Sequence, residues 1–130
     1  MSVNLSALRQ YKNVDLQATV ATASPHKLIQ MLFDGALDAL AQSKGAIERK
    51  DIELRTQRLN KATGIVLGLR DSLDLEKGGE VAENLDALYD YIIRGIVQAN
   101  REDSGDKVQE LMNLLVEIKM GWEQMPEEYK

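Results

Sequence analysis

The chain has 130 residues, enough for one domain, and its balance of 16 Lys+Arg against 21 Asp+Glu gives a formal net charge of −5. That acidity disfavours a nucleic-acid partner, which needs a basic face to displace counterions. The absence of cysteine excludes disulfides, thiolate zinc sites and cysteine nucleophiles.

Eighteen leucines against eight valines and eight isoleucines, with two prolines, favour helices over β-branched strands. Met1 to Leu16 lacks an apolar signal core and is interrupted by Arg9 and Lys12, so no secretory leader is expected. No stretch approaches the roughly 18 uncharged apolar residues that span a bilayer. The expectation is a cytoplasmic protein that does not insert into membranes.

Residues 1–23 read as an N-terminal arm or short capping helix. Leu5, Leu8, Tyr11 and Val14 recur every three residues, and the stretch after them loses helical periodicity. Ser24-Pro25 then reads as an N-cap with proline in the first turn, opening a helix over 25–48. Asp51 caps a second helix over 52–74, and Lys77-Gly78-Gly79 breaks the chain. A third helix is expected over 80–100 and a fourth over 105–124, with a tail at 126–130. Four helices joined by short loops make an all-α, antiparallel up-down-up-down four-helix bundle over 24–125.

Residues placed about 100° apart show where each helix is apolar. The second helix has a core stripe of Leu59, Ala62, Ile65, Val66, Leu69 and Leu73, while Gly64 and Gly68 fall on another face near Leu67. A glycine inside a helix costs about 0.8–1 kcal/mol relative to alanine, so close approach of another backbone is one reading and plain exposure the other. The fourth helix has an inward stripe of Val108, Leu111, Leu114, Leu115, Ile118 and Trp122. Met112, Val116 and Met120 form a second ridge, which is either a partner surface or more core. Tyr89 fits the core of the third helix, whereas Tyr91 lies off it and either stacks on a ligand or shields a helix edge. Acidic residues from Asp71 to Asp90 suit the positive end of the third helix.

No constellation looks catalytic. His26 is the only histidine and lies in the first turn of a helix, so a structural or exposed role is the simple reading. A phosphotransfer bundle needs an accessible mid-helix histidine, and a di-metal bundle needs two Glu-x-x-His pairs. No phosphate-cradling loop or nucleophile elbow is present, so no catalytic residue, metal ligand or cofactor is expected.

Several segments carry a resemblance. Ser24-Pro25-His26-Lys27-Leu28-Ile29-Gln30-Met31-Leu32-Phe33-Asp34-Gly35-Ala36 is similar to the first-helix signature of the flagellin export chaperones, the FliS family. The junction from Leu73 to Leu85, the run from Leu88 to Arg94, Ala99-Asn100, the closing Trp122 and the early Tyr11-x-x-Val14 continue it along nearly the whole chain. Phe33 stands where the family often has tyrosine. The resemblance implies a non-enzymatic cytoplasmic chaperone that binds the disordered C-terminal segment of flagellin, prevents premature polymerisation and assists delivery to the type III export gate. It also implies a functional role for Tyr11.

Partner contacts are expected at Leu5, Leu8, Tyr11, Val14, Gly64, Leu67, Gly68, Tyr91, Met112, Val116 and Met120. Export-gate components are a further candidate partner. The alternatives are a histidine phosphotransfer bundle and a self-associating structural bundle, the latter a homodimer through the surplus ridges.

Overall fold

The computed structural model describes residues 24–125. Four helices follow in order: α1 (Pro25–Glu48), α2 (Ile52–Asp71), α3 (Leu75–Glu102) and α4 (Gly105–Glu123). They pack antiparallel in a ring, α1 on α2 and α4, α3 on α2 and α4. Among the described residues no helix is long and apolar enough to cross a membrane. The expectations for Leu5, Leu8, Tyr11 and Val14 lie outside the described residues.

Every helix starts on a side-chain oxygen. Ser24, Asp51, Asp74 and Ser104 accept hydrogen bonds from the amides of Lys27, Leu54, Lys77 and Lys107, at 3.2, 3.0, 3.0 and 3.0 Å. Each bond satisfies an amide that has no partner inside its own helix, a contribution of typically about 1 kcal/mol.

Four boundaries differ from the sequence expectation, the smallest being the end of α4 at Glu123 rather than 124. α2 stops at Asp71 rather than 74, because Ser72 turns back to donate to the Leu69 carbonyl at 2.6 Å and Asp74 serves as the cap of α3. α3 starts at Leu75 rather than 80, so one helical turn precedes the glycine pair. The break falls at Gly79, whose φ of 54° and ψ of −135° are accessible only without a side chain. α3 also runs two residues past 100, to Glu102, and ends where Asp103 takes a left-handed conformation.

The core is continuous. Leu28, Ile29, Leu32, Phe33, Ala36 and Leu40 of α1 meet Leu59, Ile65, Val66 and Leu69 of α2. Tyr89, Ile92 and Ile96 of α3 and Leu111, Leu115, Ile118 and Trp122 of α4 close it. Burying each large side chain contributes about 1.5–3 kcal/mol. Burial also pushes the Tyr89 hydroxyl well above its ordinary pKa, so it stays neutral.

Polar clips hold the seams. Arg70 of α2 reaches Asp86 at 2.7 Å and Asp90 at 3.4 Å on α3, and Arg55 bonds Asn100 and Asp103 at the other end. Lys119 of α4 pairs with Asp34 of α1 at 2.6 Å. α3 and α4 also approach closely: a Cβ added at Gly95 would stand 2.6 Å from Cδ2 of Leu111, which is fully buried. Gly95→Val is expected to lower unfolding free energy by about 1–3 kcal/mol through overpacking, read as a lower urea midpoint at unchanged slope.

Candidate partner-binding site

Beyond the Gly95 contact the seam between α3 and α4 is not filled. A cleft of about 460 Å³ opens there. Val81, Leu85 and Leu88 form its α3 wall, while Leu114, Ile118, Gly121 and Trp122 form the α4 wall, with Met125 at one end and Glu117 at its edge. The α3 wall follows from helical spacing, since positions 81, 85 and 88 lie four and three apart and share a face. On α4, Gly121 leaves room: a Cβ built there meets no atom within 4 Å. Val81 is 49% exposed, although valine is usually covered.

Trp122 closes the cleft at its inner side and is itself 2% exposed. The His26 ring stacks on the indole with centroids 4.5 Å apart and planes 21° from parallel. Phe33 meets it at 5.9 Å and 45°. His26 is half-buried, with Nδ1 out of contact with solvent and without a hydrogen-bond partner among the described residues. It is therefore a packing residue at a helix start, not the accessible mid-helix histidine of a phosphotransfer bundle.

A second cleft lies between α1 and α2, lined by Gln42, Arg49, Leu54 and Arg58, and is more polar. Among the described residues no cluster of three His, Asp or Glu side chains is arranged to hold a metal ion.

The residues singled out from sequence do not form one site. Val116 and Met120 are 40% and 51% exposed on the outer face of α4 and do not line the cleft. Met112, expected on the same ridge, is instead partly buried against the core. Leu114, assigned to the inward stripe, sits half-buried in the cleft wall because it faces α3.

Gly64, Leu67 and Gly68 also part company. Gly68 is buried and Leu67 is 36% exposed. No backbone approaches Gly64, since a Cβ there meets nothing within 4 Å, so of the two readings the close approach is excluded at that glycine. Tyr91 is tied into the α3–α4 seam. Its hydroxyl accepts from Lys107 Nζ at 3.1 Å and donates to Glu110 at 3.3 Å, while Lys107 stands 5.0 Å from the ring centre. Val81, Leu85, Leu88, Gly121 and Met125 were missed, although the spacing of the first three was readable.

A sequence profile described as Flagellar protein FliS matches residues 7–129. The chain belongs to the FliS family. It is similar to the flagellar secretion chaperone FliSB of Pseudomonas aeruginosa, 45% identical over 92% of this chain and 94% of that one. It is also similar to the flagellar secretion chaperone FliS of Vibrio cholerae, 40% identical over 95% and 90%. That of Bacillus subtilis is 32% identical over 83% and 80%. The segments that carry the FliS resemblance converge on the cleft: His26 and Phe33 come from the first, Val81 and Leu85 from the second, Leu88 from the third, and Trp122 closes it.

Two outcomes follow from this geometry. Val116→Asp with Met120→Asp is expected to change stability by only about 1–2 kcal/mol in thermal melts, against 4 or more for charges placed in a core. The second concerns pH. Hydrogen bonding to Lys107 holds the Glu110 carboxyl below its ordinary value. Its contribution to stability is complete above that ordinary value and is lost as pH falls through the lowered one. Glu110→Gln should remove this part of the acid limb in urea unfolding measured between about pH 3 and 6.

Proposed function

We propose that this protein is a flagellar secretion chaperone that holds the C-terminal segment of flagellin in the α3–α4 cleft. Masking that segment keeps flagellin from polymerising in the cytoplasm and leaves it ready for the type III export apparatus. Membership of the FliS family supports the chaperone role, and the open apolar cleft is the observation that carries the site. A segment that is disordered alone must give up conformational freedom on binding, at a cost of a few kcal/mol, so it needs a broad apolar surface. Val81, Leu85, Leu88 and Leu114 offer such a surface. Met125, beside them, adapts its shape at little strain.

The exposed Val116 and Met120 extend the apolar area along the other flank of α4. In this reading they hold a second stretch of the same segment, with Met112 partly supporting the ridge, while Leu5, Leu8, Tyr11 and Val14 act as a clamp. Tyr91, with its hydroxyl held by Lys107 and Glu110, serves chiefly to close the seam beside the cleft.

Gly121 provides the cleanest test because it lines the cleft and a Cβ there meets no atom within 4 Å. Gly121→Leu should place a side chain in the cleft, weaken binding of a flagellin C-terminal peptide at least tenfold by calorimetry, and leave the melting temperature unchanged or higher. Unchanged affinity removes the cleft from the reading. Sedimentation of the free protein separates this reading from a homodimer built on the same surfaces.

A further inference from the structure

We infer that His26 is a positioning residue for the docking cleft: its imidazole, stacked on Trp122, holds the indole in place as the cleft's inner wall. This rests on the reading that the α3–α4 cleft receives the flagellin segment.

The argument begins with the location of Trp122. It lies one residue before the end of α4, whose cap, Gln124, is right-handed, so no glycine turn locks the helix end. The last turn of a helix frays unless tertiary contacts hold it. Here two rings from α1 brace the indole. His26 stacks nearly parallel at 4.5 Å, and Phe33 meets it obliquely at 5.9 Å.

Phe33 is fully buried and belongs to the core. His26 is half-buried at the helix start and contributes little to that core, so its main structural partner is the indole. The imidazole retains a buried Nδ1 without a hydrogen-bond partner among the described residues, a cost that stacking must offset. Loss of the stack removes one of the two rings from α1 that brace the indole, and the wall facing Val81 and Leu85 then loses its exact shape. The cleft thus depends on a residue of the helix that contributes none of its lining.

Trp122 is the only tryptophan of the chain, so its emission, excited at the red edge where the four tyrosines do not absorb, reports on this wall alone. The test compares His26→Ala, His26→Phe and Gly121→Leu in the full chain, titrated with a synthetic flagellin C-terminal peptide. His26→Ala is expected to weaken binding about three- to tenfold, the range of an aromatic pair, and to shift Trp122 emission while the melting temperature moves little. His26→Phe, which keeps a ring, should restore both affinity and emission. If His26→Ala fails to fold, His26→Leu takes its place, filling similar volume without a ring.

Wild-type affinity in the ringless variant, or a loss that His26→Phe does not rescue, overturns the inference. If Gly121→Leu binds as tightly as the wild type, the cleft reading itself falls and takes the positioning role with it. If Gly121→Leu abolishes binding while His26→Ala does not, only the positioning role falls.

Discussion

The contact between Gly95 and Leu111 sets the geometry of half the molecule. A side chain at Gly95 would collide with the Leu111 methyl groups, so the bare backbone lets α3 and α4 approach closely at that level. Next to it, Tyr91, Lys107 and Glu110 close the outer edge of the same seam. Antiparallel helices pinned near one end are free to leave space near the other, and the apolar cleft occupies that other end. At the neighbouring seam α2 is fastened to α3 along its length by Arg55 and Arg70. The apolar opening is therefore a local feature of the α3–α4 seam.

Exposed apolar surface is a liability for a protein in water unless something covers it for part of its working life. The cleft concentrates that surface where two helices provide a rigid frame, and the formal charge of −5 keeps the rest of the molecule hydrated. Most large residues that line the cleft are also attached to the core: Leu85, Leu88, Leu114 and Met125 pack against it while showing one side outward. Such residues need little rearrangement to receive a partner, which limits the ordering cost to the partner itself.

The fold was largely legible in the sequence because caps and periodicity are local signals. Ser24-Pro25 and Asp51 mark helix starts in the sequence, and the structure has helices beginning directly after them. The α2–α3 junction was harder. Asp74 suits either the end of one helix or the cap of the next, and only the hydrogen bond to Lys77 decides. The cleft was less legible still. A helical wheel gives the direction of each side chain, but whether neighbouring helices meet or part depends on pairs such as Gly95 and Leu111, sixteen residues apart. For that reason the wheel places Leu114 on the inward stripe without showing that it also lines the cleft, and it leaves open whether a backbone approaches Gly64. His26 was read from its place on its own helix, while its partner, Trp122, lies near the other end of the chain.

Gly79 divides the 28-residue α3 into two lengths of very different strength. Helical cooperativity depends on an unbroken ladder of backbone hydrogen bonds, and the inverted dihedrals at Gly79 interrupt it. The single turn from Leu75 to Gly78 can thus unwind while the long portion that packs on α2 and α4 stays intact. In hydrogen exchange the two portions would belong to separate opening units, the short one with a free energy far below that of global unfolding. Val81, at the mouth of the cleft, stands two residues past that boundary. The short turn contributes none of the cleft's lining, so its opening leaves the α3 wall of Val81, Leu85 and Leu88 in place.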